Sequence, residues 1–137
     1  MNRFHVFPAF VGLLLVSLSG CGGPGGPPAP EMFPVSGTVN LDGQPLAEGS
    51  ITIDPVGGKG VPAMGGIKDG KFSFQAAAGE YIARFSAIEV TSEKDEYGEP
   101  ITRSLIGDEF NGSSTTKASI TSGENNLSFD VKGIAAK

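Results

Sequence analysis

Reactive side chains are scarce in this sequence. Histidine occurs once, at His5, cysteine once, at Cys21, and tryptophan is absent. A single cysteine allows no internal disulfide. Both His5 and Cys21 fall near the amino terminus, so the rest of the chain carries neither imidazole nor thiol. A Ser-His-Asp triad, or a zinc site built on histidine or cysteine, is excluded there by composition. Runs of lysine or arginine are also missing, and 10 basic against 15 acidic residues leave a formal charge of −5. A surface of that sign is repelled by nucleic-acid backbones, so no nucleic-acid partner is expected.

What is present points to turns and extended chain. The 137 residues fit one domain, and 21 glycines with 10 prolines favour turns and linkers over helices. The amino terminus reads as an address. Arg3 supplies a positive charge, and Phe4 to Val16 is largely apolar but broken by Pro8 and Gly12. That stretch is too short for a comfortable membrane span and reads as the apolar region of a signal peptide. Leu18, Ser19, Gly20 and Cys21 then match the bacterial lipobox: a leucine, two small residues that fit an extended peptidase site, and a cysteine whose thiolate can carry a diacylglycerol thioether. Residues 1–20 are therefore expected to be a lipoprotein signal peptide, and Cys21 the lipidated residue. Membrane lipid is then the partner of Cys21. Gly22 to Pro30 contains only glycine, proline and alanine, so residues 21–32 are expected to be a lipidated tether with no core of its own.

From Phe33 the pattern changes to period two. Val35, Gly37, Val39 and Leu41 alternate with polar residues, as do Ile51 and Ile53. Asp42-Gly43 and Asp69-Gly70 are turn signals, the second leading into Phe72 and Phe74. Ala63 to Lys68 reads as a weaker strand. Ala76 to Gly79 is too short to sustain a helix in water and reads as a turn. Tyr81, Ala83, Phe85 and Ala87 alternate with Ile82, Arg84, Ser86 and Ile88, so apolar residues lie on both faces, as in a central strand. A polar stretch from Thr91 to Pro100 interrupts the pattern, and the long loop from Thr91 to Asn111 is the expected contact region. Thr116–Thr121 and Asn126–Lys132 read as a closing hairpin across Ser122–Asn125. About seven short strands and no helix place residues 33–132 in the all-β class, as a β-sandwich or barrel, with a tail over 133–137.

The segments Pro34–Leu46, Gly49–Pro55, Asp69–Phe72 and Gly79–Tyr81 together resemble the carboxypeptidase regulatory-like, transthyretin-like domain, most closely the small lipoprotein versions of planctomycete-type bacteria. The resemblance spans about residues 33–90 and implies a seven-stranded Greek-key β-sandwich used as a structural or binding module. Its motifs are turn and core positions, with Gly37 placed where strands approach closely. Hydroxyisourate hydrolases share the fold but use histidines and a carboxy-terminal Tyr-Arg-Gly-Ser. This chain ends in Gly133-Ile134-Ala135-Ala136-Lys137 and has no matching histidine, so that activity is not expected.

Other chemistry is thinly represented. Ser114 to Lys117 matches Ser-x-x-Lys formally, without the helix and partner motifs of penicillin-binding enzymes; a solvent-facing strand is the simpler reading. Glu89, Glu93, Asp95, Glu96, Glu99, Asp108 and Glu109 are hard-cation ligand types, but their spacing is not that of an EF-hand. Gly57 to Gly60 lacks the serine or threonine of a phosphate loop. Tyr97 is the one tyrosine expected to be exposed, and Tyr81 is expected in the core. The expected function is that of a non-enzymatic, membrane-anchored envelope lipoprotein, exported to the outer membrane or the periplasmic face. It would have no catalytic residues, no metal, no cofactor and no small-molecule substrate, and would present its sandwich to an envelope protein partner. A carbohydrate- or calcium-binding module is the alternative.

Overall fold

The computed structural model describes residues 25–134, so Cys21 and the expected signal peptide lie outside the described residues. The chain runs through strands β1 (Met32–Leu41), β2 (Gln44–Pro45), β3 (Glu48–Pro55), β4 (Ala63–Lys68), β5 (Lys71–Ala77), β6 (Gly79–Ser86), β7 (Ile88–Lys94), β8 (Pro100–Ser104), β9 (Lys117–Ile120) and β10 (Asn125–Val131). Two 3-10 turns, Val56–Gly58 and Asp108–Phe110, are its only helical pieces among the described residues.

Seven of these strands form the body, in the hydrogen-bonded order β10-β1-β5-β4-β3-β6-β9. The path is continuous but folds sharply in its middle. β4 and β5 share only the pairs Ile67–Phe72 and Lys68–Lys71, next to their connecting turn. Beyond that root they separate, so β10-β1-β5 becomes one layer and β4-β3-β6-β9 the other. The alternation in each strand then faces inward. Val35, Val39, Phe72, Ala76, Phe129 and Val131 come from the first layer; Ile51, Ile53, Ile67, Tyr81, Ala83, Phe85, Ala118 and Ile120 come from the second. The Phe85 and Phe129 rings meet edge-on across the gap with centroids 5.0 Å apart. Full burial of a side chain such as Ile51 or Val39 contributes about 1.5–3 kcal/mol, so this doubly apolar interior is the main source of stability.

The two Asp-Gly signals make tight turns for the expected reason. Asp42 and Gly43 have φ of 51° and 82°, and Asp69 and Gly70 have 50° and 73°. This is the mirror-image turn whose twist matches paired strands. The sequence did not reveal that the second turn docks on the segments flanking the first. Gly70 N–H donates to the Leu46 carbonyl at 2.7 Å, and Val39 N–H donates to the Gly70 carbonyl at 2.8 Å. The close approach expected at Gly37 is present: a Cβ there would lie 1.9 Å from the Leu127 carbonyl oxygen.

Three expectations are corrected. First, β9 and β10 do not form a hairpin. β9 pairs antiparallel with β6 in one layer, while β10 pairs parallel with β1 in the other. The connection is a corner between layers, held by Asn125. Its Oδ1 accepts from Thr121 N–H at 2.9 Å, and its Nδ2 donates to the carbonyls of Thr121, Gly123 and Pro34 at 3.0, 3.1 and 3.4 Å. Second, the turn over Ala76–Gly79 shrinks to Ala78 alone, because β5 extends to Ala77 and β6 begins at Gly79. Third, much of the long loop is a β-ribbon. β7 and β8 pair antiparallel apart from the body, around a turn in which the Asp95 carboxylate accepts from the N–H groups of Tyr97 and Glu99, each at 2.9 Å. Both faces of the ribbon are largely solvated, so no buried stripe betrayed it in the sequence.

The sandwich has two unlike ends. β1 runs from the end where Met32 pairs with Ala77 towards Leu41. β6 starts at that same end with Gly79 and finishes at Ser86, just before β7. At about 3.3 Å per residue, the eight residues of β6 put about 25 Å between the tether end and the root of the ribbon.

Candidate functional site

At the far end the ribbon carries apolar side chains into water. Ile88 is 65% exposed, Val90 64% and Tyr97 82%. The register pairs Ile88 with Ser104 and Val90 with Thr102, which places these four on one face; Glu89 and Arg103 share the opposite face and form an ion pair at 2.6 Å. Under the first face lies an open groove of about 490 Å³, lined by Glu48, Gly49, Ser50, Ser86, Ala87, Ile88 and Val90. The ribbon is tied to the body at its base, where Leu105 N–H donates to the Ala87 carbonyl at 2.9 Å and Ile106 is buried.

A second open groove, of about 410 Å³, lies at the tether end between Pro30, the Val56–Val61 loop and the Ala77–Tyr81 segment. The loop is shaped by its glycines: Gly57 and Gly58 have φ of 76° and 69°, which L side chains rarely adopt. Val56 and Val61 stand about half exposed on either side of Lys59. This segment therefore makes an exposed loop rather than a phosphate cradle.

The remaining sequence candidates have structural duties. Ser114 does not face solvent as expected but is buried, and its Oγ donates to the Ala83 carbonyl at 2.6 Å and accepts from Thr116 N–H at 3.2 Å. Lys117 is exposed at the start of β9. Of the acidic residues, Glu89 pairs with Arg103, Asp95 caps the ribbon turn, and Asp108 accepts from Ser113 Oγ. Among the described residues no three metal-ligating side chains converge, and every buried side-chain polar atom has a hydrogen-bond partner. Asn111 and Gly112 offer their carbonyls to Arg84, at 2.9 and 2.7 Å, while Arg84 Nε contacts Asp54 at 2.7 Å. That arginine clasps the segment before β9 onto β6, a role its place in an alternating strand did not signal. Tyr81 is buried as expected, and its hydroxyl donates to the Ala77 carbonyl at 2.9 Å. Burial pushes its pKa above the ordinary value of 10.0.

No family model matches the chain. No curated protein matches it either. Among solved structures, a DUF3823 family protein from Parabacteroides merdae ATCC 43184 is similar over 77% of this chain and 47% of that one, at 18% identity and a TM-score of 0.39. The chain spans about half the length of that neighbour. The all-β sandwich assignment stands on the strand pairings and the two-layered core described above.

Proposed function

We propose that this protein is a non-enzymatic envelope lipoprotein, anchored through acylated Cys21, whose sandwich is a carboxypeptidase regulatory-like module that presents the β7–β8 ribbon to a protein partner. The observation that carries this reading is the ribbon itself. It stands off the body, leaves Ile88, Val90 and Tyr97 in water, and makes few contacts that the core needs. Exposed apolar side chains grouped on one element mark interaction surfaces more often than isolated ones do. Tyrosine is also among the residues enriched at the centres of protein interfaces. The lipobox at Leu18–Cys21 and the glycine-proline tether supply the anchor and the reach, with the outer membrane or periplasmic face as the site of display.

Photo-crosslinking in cells tests the display surface. A photoreactive residue replacing Val90 is expected to yield a discrete higher-mass adduct, while the same residue replacing Thr38, exposed on the outside of β1, yields none. No adduct at Val90, or equal adducts at both positions, would refute it.

A further inference from the structure

We propose that the tether end of the sandwich is a membrane-contacting surface, with Val56 and Val61 seated in the lipid layer that holds Cys21. The proposal rests on the anchoring reading above and adds an orientation to it. The apolar grouping at this end is local. Val56 is 54% exposed, Val61 48% and Met32 40%, and Pro30 and Pro55 line the groove between them. Met64, 68% exposed, stands one strand position further along β4. Every residue of the loop from Val56 to Pro62 is exposed, and the loop passes close to its own base: a Cβ at Gly60 would lie 3.1 Å from the Pro55 ring.

The position of the anchor decides which occupant fits. Pro30, at the rim of this groove, is nine residues beyond Cys21. Fully extended chain covers at most about 3.5 Å per residue, so the acylated residue can lie no further than about 30 Å from the rim. The ribbon is rooted about 25 Å further away, along the length of β6. An anchor that short keeps this end within about 30 Å of the lipid surface, in reach of the headgroups whenever the tether slackens, and a bilayer is the partner always present there. The charge distribution suits a zwitterionic surface rather than an acidic one. Lys59 sits between the two valines, where its stem can lie along them with the ammonium at headgroup level, while Glu31, Glu80 and Glu124 occupy the same end. The diacylglycerol on Cys21 holds the chain at the bilayer, and apolar side chains that dip into the interface would add to that hold and fix the orientation of the domain.

The absence of tryptophan and of a second cysteine makes the test clean. Residues 21–137, which contain the whole core, are coupled through Cys21 to a maleimide lipid in phosphatidylcholine vesicles with brominated acyl chains. Two single-tryptophan chains are compared, Val61→Trp and Tyr97→Trp. The tryptophan at position 61 is expected to be blue-shifted and quenched several-fold more than the one at position 97. Adding Met32→Asp and Val56→Asp to the Val61→Trp chain is expected to bring its quenching down to the ribbon's level. Equal quenching at both positions, or no change on adding the aspartates, overturns the proposal. Because the coupling supplies the anchor, either failure would count against the surface and not against acylation, which is read separately from the amino-terminal mass.

Discussion

Replacing Gly37 with alanine perturbs the point on which the parallel pairing of the last strand depends. Gly37 sits in the middle strand of a three-stranded layer, opposite Leu127 on one side and Phe72 on the other. A Cβ there would lie 1.9 Å from the Leu127 carbonyl oxygen and 2.7 Å from the tip of the Phe72 ring. Carbon and carbonyl oxygen settle at about 3.3 Å or more, so β10 must retreat by about 1.4 Å or break its ladder locally. Phe72 cannot give way freely, since it is buried and stacked near both Phe74 and Phe129. Overpacking a filled site costs about 1–3 kcal/mol, and a clash against backbone belongs at the top of that range. A domain of this size is stable by about 5–15 kcal/mol, so a loss of about 3 kcal/mol is readily seen. With a urea slope near 2 kcal/mol/M, the unfolding midpoint should fall by about 1.5 M, followed by circular dichroism. Gly66→Ala is the matched control, because a Cβ at Gly66 meets nothing within 4 Å. Its midpoint should hold or rise slightly, by the equivalent of about 0.5 kcal/mol. A Gly37→Ala midpoint within about 0.3 M of the parent would refute the parallel β1–β10 pairing and the layer built on it.

Further outcomes follow from the same structure. Asn125→Ala removes the side chain that holds the β9–β10 corner and leaves Thr121 N–H without its acceptor, so urea unfolding should show a loss of about 2–3 kcal/mol; a loss below about 0.5 kcal/mol would contradict the corner. Tyr81 should make stability fall in alkali. Its folded pKa is raised above 10.0 by burial, so the native state keeps a proton that the unfolded chain releases. The stability it contributes is complete below about pH 10 and is lost as pH rises through the raised value. Tyr81→Phe should therefore lose less urea resistance between about pH 9 and pH 11 than the parent, and an identical loss in the two proteins would rule out a buried, protonated Tyr81.

The core and the turns were legible because each follows from local chemistry. Val35, Val39, Ile51, Ile53, Phe85 and Val131 alternate with polar neighbours and are buried as the period requires. Asp42-Gly43 and Asp69-Gly70 combine two residues that tolerate positive φ, and both turn where expected. What was illegible is what local chemistry does not encode. Glycine and asparagine around Ser122–Asn125 signal a change of direction, but not whether the next strand returns beside its neighbour or crosses to the other layer; the pairing of Asn125–Val131 with Val35–Leu41, far away in sequence, decides that. The ribbon escaped because a strand exposed on both faces carries no apolar stripe. The tether-end surface escaped for a related reason: Met32 opens β1 while Val56 and Val61 lie in the β3–β4 loop, and only the fold brings them to one end. Ser114 misled in the other direction, since a motif match says nothing about burial.

In the proposed arrangement, attachment through Cys21 would turn the two unlike ends of the sandwich into a membrane-facing end and a free, ribbon-bearing end. The mass of the amino-terminal peptide, taken from the full-length chain expressed in a bacterial host and purified from its membranes, tests this most directly. The spectrum should show a peptide that begins at Cys21 and carries a diacylglycerol thioether. A peptide that begins elsewhere, or an unmodified Cys21, would contradict the anchored arrangement.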